Sequence, residues 1–279
     1  MIENKTIAVL MTVHNRRETT LECLRHLFQN SVVGYTYKVY LVDDGCTDGT
    51  AEAVAKEFPE AVIIKGDGNL YWNRGMIRAW EVSAIDNPDY FLWLNDDTMI
   101  FETALNITIK DYVSIPNKSI IVGTTCSTTD CSQATYGGYS SGLITPNGTP
   151  QQAAVMNGNY VLIPQCVFAE VGMNDPVFTH SFGDREYSLR CRRKGVLVYT
   201  TSQFIGTCDR HTATKKCYNP SFHLWDRMKY FMSPLGNPPS ELFHLYSMER
   251  GKLSAIKIVI CHTLLVLFPK LAQSFTKLP

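Results

Sequence analysis

The chain has 279 residues, 45% of them hydrophobic and 19% charged, with 26 basic side chains balancing 26 acidic ones. Those proportions exclude a disordered chain. Zero formal net charge excludes the basic surplus that drives non-specific nucleic-acid binding, so no nucleic-acid partner is expected. The length fits one large domain, or a domain with an appendage, burying enough surface to need no staples.

Taken in order, the first hundred residues alternate between the two hydrophobic periods. Thr6 to Val13 is β-branched and apolar, a buried strand. Arg17 to Gln29 carries Leu21, Leu24, Leu27 and Phe28 at helical spacing. Lys38 to Asp43 is the second strand, and Thr47 is placed to cap a helix from Thr50 to Phe58. Ala61 to Lys65 is the third strand, Leu70 to Ser83 a helix, and Tyr90 to Leu94 a short, very apolar strand. Repeated strand–helix alternation predicts an α/β fold, a mostly parallel central sheet flanked by helices.

Gly123 to Pro150 is rich in Gly, Ser and Thr and reads as loops or a hairpin, with a turn at Asn147-Gly148. Beyond it come a strand at Tyr160 to Pro164, a short helix at Gln165 to Val171, a longer one at Phe182 to Lys194, and a strand at Val196 to Thr201. From Ile205 the sequence changes character, with clustered Pro, aromatic and basic residues. The organisation expected is one α/β domain over 1–204, its two halves meeting near residue 100, and a helical extension over 205–279.

Ligands of open α/β sheets bind beyond the carboxyl ends of the strands. Here those ends carry His14-Asn15-Arg16, Asp43-Asp44, Gly66-Asp67-Gly68-Asn69 and Asn95-Asp96-Asp97. Four polar loops converging on one rim predict a site there. Asn95-Asp96-Asp97 can hold a hard divalent cation, which takes oxygen ligands and keeps phosphate oxygens in its shell, or can simply cap a turn. Gly66-Asp67-Gly68 begins like a dinucleotide fingerprint, but Tyr71 stands where the third glycine belongs, and no P-loop pattern occurs. Asp184 and Glu186 open a predicted helix, where they either favour its dipole or offer one general base for a substrate hydroxyl. Cys208, His211 and Cys217 have some metal-ligand character without the spacing of a structural zinc site. Trp72, Tyr136, Tyr139, Phe222 and Trp225 are candidates for stacking on sugars, with core packing the competing role.

The set Thr12-Val13-His14-Asn15-Arg16, Val42 to Thr50, Leu94-Asn95-Asp96-Asp97 and Gly183 to Arg190 resembles a family 2 glycosyltransferase with the GT-A fold. Gly68 to Met76 resembles the bacterial branch of rhamnosyltransferases and other builders of surface polysaccharide. The resemblance implies that His14, Asn15, Arg16, Asp44, Gly68, Asn73 and Asp96 bind the nucleotide, with Asp44 on the base and Asp96 on the ribose. It implies Mg²⁺ or Mn²⁺ on Asp97, with His211 at a metal-ligand position of some members, and Asp184 as the catalytic base. Asn95 departs from the usual D-x-D, and Gly183 replaces a glutamate common before the base.

The function implied is inverting, metal-dependent transfer from a UDP- or dTDP-linked sugar to a hydroxyl of a glycan or lipid-linked glycan. A sugar-phosphate nucleotidyltransferase should instead show a glycine-rich loop after the first strand, and His14 to Glu18 contains no glycine. A non-catalytic glycan-binding protein on the same fold would not need Asp44, Asp97 and Asp184 together.

Residues 1–11 show no signal-peptide pattern, so a cytoplasmic setting with all nine cysteines reduced is expected, at the inner face of the membrane if the tail binds it. Neutrality is an average. Residues 1–204 carry 16 basic and 22 acidic side chains, and residues 205–279 carry 10 and 4. In that basic part Ala255 to Phe268 is too short to span a membrane. Peripheral membrane contact through 250–279, ordinary packing and homodimerisation are the three roles open to it.

Overall fold

The computed structural model describes residues 4–116, 118–210 and 215–270. The chain forms two compact units, one of residues 1–174 with 184–210, the other of 175–183 with 211–279.

The first unit opens with β1 (Lys5–Val13), α1 (Arg17–Phe28), β2 (Tyr35–Asp43), α2 (Thr50–Glu57), β3 (Val62–Lys65), α3 (Tyr71–Ser83) and β4 (Tyr90–Leu94). These are the elements expected, in the order expected. The strands β3, β2, β1 and β4 lie side by side, all parallel. Then come β5 (Met99–Ile100), α4 (Ala104–Ser114), β6 (Ser119–Cys126), β7 (Gly138–Tyr139), β8 (Gln152–Ala153), β9 (Val155–Met156), β10 (Tyr160–Pro164), α5 (Gln165–Val171), α6 (Gly183–Arg193) and β11 (Leu197–Thr207). In this half the sheet is mixed. β10 runs antiparallel to both β4 and β6, and β11 is parallel to β6 but antiparallel to β5 and β8. The long irregular return through Gly123 to Pro150 has no crossover helix to reset the strand direction, so β10 enters from the rim where β4 ends.

Side chains alternate across the sheet as the pleat requires. Ile7, Val9 and Met11 meet Leu21, Leu24, Leu27, Leu105 and Ile109 from α1 and α4. Ala8 and Leu10 meet Met76, Ala79, Trp80, Val167 and Tyr187 from α3, α5 and α6. Thr47 does not cap α2, whose N-cap is Gly49. Asp48 Oδ1 accepts the Thr50 amide, while the Thr47 amide turns to Asn15 Oδ1.

α3 lies against β1 only because residue 75 has no side chain. A Cβ there would stand 2.2 Å from Thr12 Oγ1 and 2.8 Å from Thr12 Cβ. Gly75→Ala should therefore destabilise the fold by roughly 1–3 kcal/mol through overpacking, although alanine is the better helix former by about 1 kcal/mol. An unchanged urea midpoint would show that α3 moves freely on β1.

Cys126 and Cys131 form a disulfide, which corrects the expectation of nine thiols. The fold brings them together by turning the chain back so that Cys126 pairs with Ala134. The sequence division at residue 204 falls inside β11, which continues to Thr207.

The second unit contains α7 (Leu224–Phe231), α8 (Pro239–Arg250) and α9 (Lys252–Leu267) around Cys217, Phe231, Leu242 and Val266. Lys215 Nζ donates to Gly236 O and Asn237 Oδ1 at 2.9 and 2.8 Å. Asn237 Nδ2 donates to the Tyr218 hydroxyl, which also meets His262 Nδ1. No helix among the described residues is long and apolar enough to cross a membrane.

Candidate active site

The rim lies where β1, β2, β3 and β4 end and where β10, running the other way, begins. Asn95 N donates to Asn159 O across the β4–β10 junction at 2.9 Å, joining the two halves of the unit there.

At the end of β1, His14 Nδ1 contacts the carbonyl of Asp44 at 2.6 Å. Asn15 sits in the left-handed region at φ 51°, and its Oδ1 accepts the amide of Thr47. At the end of β2, Asp44 is 3% exposed. Its carboxylate accepts three backbone amides, those of Gly68 at 2.9 Å, Leu70 at 3.2 Å and Tyr71 at 2.8 Å. Asp44 thus shapes the loop between β3 and α3, holding Tyr71 at φ 55°. These three amides occupy the carboxylate that the resemblance assigns to the nucleotide base. The resemblance also assigns Asn73 to the nucleotide. Asn73 is fully buried on α3, with Met76 and Trp80 on the same helical face.

At the end of β4 three adjacent polar residues have three different fates. Asn95 Oδ1 accepts the indole N–H of Trp72 at 2.7 Å. Asp96 is buried, 3.0 Å from Arg16 Nη1 and 3.4 Å from Thr20 Oγ1. Burial pushes its carboxyl up to about 6, against the pull of Arg16 and with a push from Asp97. The Asp97 side chain stays 20% exposed, with Arg16 Nη2 at 3.2 Å and Cys208 Sγ at 3.8 Å from its two oxygens. Arg16 thus spans both carboxylates, and its own side chain is 40% exposed.

Asp184 enters from the first turn of α6. Its carboxylate accepts the Gly158 amide at 3.0 Å and the Arg185 amide at 2.7 Å. Burial raises its carboxyl above the ordinary range, and these amides oppose the rise. Glu186 is bound at both oxygens by Arg190, at 2.9 and 2.8 Å, and Arg190 also donates to Val171 O. Of the two acids that open α6, Glu186 is therefore structural. Trp72 packs beside Asp184 because Gly158 leaves room. A Cβ on Gly158 would lie 2.4 Å from Trp72 Cζ2. Tyr139 is half-buried, its phenol raised by burial, lowered by Arg210 and raised by the charge of Asp184. Gly158, Asn159, Thr20 and Cys208 escaped the sequence reading of the rim. The polar run Asn157-Gly158-Asn159 ahead of an apolar strand is the signal that marks the first two.

His211 lies outside the described residues. Cys208 touches Asp97, whereas Cys217 belongs to the core of the second unit. Among the described residues no group of three or more His, Cys, Asp and Glu side chains could hold a metal. A hard cation that takes one or two protein carboxylates and completes its shell with phosphate and water does not need such a group. The partly exposed Asp97 carboxylate fits that requirement.

The parallel half-sheet, its acidic rim and the carboxylate on α6 define a GT-A glycosyltransferase. Residues 8–164 match the model of Glycosyl transferase family 2, more than half of the chain, and the chain belongs to that family. Among solved structures it is similar to GalNAc-T7 with UDP, GalNAc and Mn²⁺, at 14% identity and a TM-score of 0.57. That similarity covers 93% of this chain and 54% of the other, so the chain spans about half the length of that protein. A comparison with curated proteins gives no match.

Proposed function

We propose that the protein transfers a sugar, with inversion at the anomeric carbon, from a UDP- or dTDP-linked donor to a hydroxyl of a glycan or lipid-linked glycan. The observation that carries the reading is Asp184. It is a carboxylate raised by burial and oriented by two amides, near an acid locked by arginine.

Asp184 takes the proton of the acceptor hydroxyl as its oxygen bonds to the anomeric carbon. The bond to the diphosphate breaks, and its electron pair leaves with the nucleotide. One displacement inverts the centre. Trp72, beside Asp184, takes the sugar side, and the loop shaped by Asp44 takes the base side. Asp97 would hold Mg²⁺ or Mn²⁺, which would neutralise charge on the departing diphosphate. Arg16 balances the carboxylates of Asp96 and Asp97. UDP and Mn²⁺ in the similar structure support these choices of base and metal. The resemblance of Gly68 to Met76 supports a place in bacterial surface-polysaccharide synthesis.

A thermal-shift screen of nucleotide sugars with Mn²⁺ or Mg²⁺ tests the reading. A true donor at one hundred times its Kd stabilises the native state by about 2.7 kcal/mol. If neither UDP- nor dTDP-sugars move the transition with either metal, the proposed donor class is wrong.

A further inference from the structure

We propose that α9 docks the protein flat on an anionic bilayer surface. Ala255 and Val266 on one side of this 16-residue helix are buried, Val259 packs on the core of its own unit, and His262 meets Tyr218. The other side presents Leu253, Ile256, Ile260, Leu264 and Leu267, exposed to 78, 47, 52, 47 and 37%. Their spacing of three, four, four and three residues places them in one stripe along the helix. A stripe of this kind belongs in an interface.

Charge selects the occupant. Lys252 and Lys257 are exposed on the two sides of the stripe, Arg250 precedes it, and no acidic residue follows Glu249. On a helical projection the two lysines flank the apolar residues, where a long basic side chain can reach headgroups as the stripe enters the acyl boundary. A second copy packed through the same stripe would offer these lysines no carboxylate, since α9 contains none. At 1.5 Å per residue the helix is about 24 Å long, short of the roughly 30 Å hydrocarbon core, so it lies on the bilayer and does not span it.

The inference deepens the lipid-linked-acceptor reading and rests on it for its purpose, since docking would hold the enzyme on the membrane that carries the acceptor. The test is flotation of the full chain with phosphatidylcholine vesicles, with and without phosphatidylglycerol. The wild type should float with the anionic vesicles, less so at high salt. An Ile256→Asp/Ile260→Asp variant should lose flotation, and Lys252→Glu/Lys257→Glu should weaken it by about tenfold. Both variants alter exposed positions, and an unchanged thermal transition confirms their fold.

Failure of the wild type to float overturns the proposal, as does equal flotation on neutral vesicles or retained flotation of the isoleucine variant. A dimer in size-exclusion chromatography that the isoleucine variant abolishes, without vesicle binding, assigns the stripe to a second copy and also overturns it. The nucleotide-sugar thermal shift on the same samples separates the two readings. A shift without flotation removes only the docking, and flotation without a shift removes only the donor assignment.

Discussion

An Asp184→Asn variant is expected to bind the nucleotide donor as the wild type does and to lose transfer by a factor of about 10²–10⁴, the usual contribution of a positioned general base. The substitution keeps the shape of the side chain and an oxygen for one of the two amides at Gly158 and Arg185. The second amide then faces either that oxygen or the new NH₂, so a modest loss of stability is also expected. The pH profile distinguishes a base from a merely structural carboxylate. Burial raises the Asp184 carboxyl, and only its ionised form accepts a proton. Wild-type kcat should therefore fall on the acid side, at a pH above the ordinary carboxylate range, and the residual activity of the variant should lack that limb. Near-wild-type turnover in the variant would remove Asp184 from the role.

Asp97→Ala is expected to lower Mn²⁺-dependent affinity for UDP by at least about tenfold, since a cation bound through one protein carboxylate loses its only fixed ligand of that kind. Donor affinity without metal should change much less. The fold should persist, because the side chain is partly exposed and Arg16 keeps its 3.0 Å pair with Asp96. Calorimetry with UDP, with and without Mn²⁺, reads both quantities. Undiminished metal-dependent affinity would exclude Asp97 as the ligand. The same substitution at Asp96 has a different meaning. That carboxyl is buried against Thr20 and Arg16, so its loss would disturb the rim's internal charge balance and not only a ligand contact.

Much of this site was legible in the chain. Hydrophobic period gives β1 to β4 and α1 to α3 because burial on both faces of a parallel sheet demands continuous apolar strands and striped helices. Where each apolar strand stops, the polar residues that follow must stand at the same rim. That is why Arg16, Asp44, Asp96 and Asp97 could be named without coordinates. Two residues that the family resemblance assigns to the nucleotide are engaged within the fold. Asn73 is polar and near the rim in sequence, yet helical rotation turns it inward with Met76 and Trp80. Asp44 is at the rim, yet three amides of a loop more than twenty residues away occupy its carboxylate.

By itself the sequence determined the alternating elements, the acidic strand ends and the charge imbalance between 1–204 and 205–279, because each depends on neighbours within a few residues. The tertiary structure alone decided the rest. It set β10 antiparallel to β4, so that the Gly158 amide meets the Asp184 carboxylate. It joined Cys126 to Cys131 and turned the unburied face of α9 outward. Except for Cys126 and Cys131, five residues apart, these outcomes depend on groups distant in sequence competing for the same donors, space and burial. No local pattern records which of them wins.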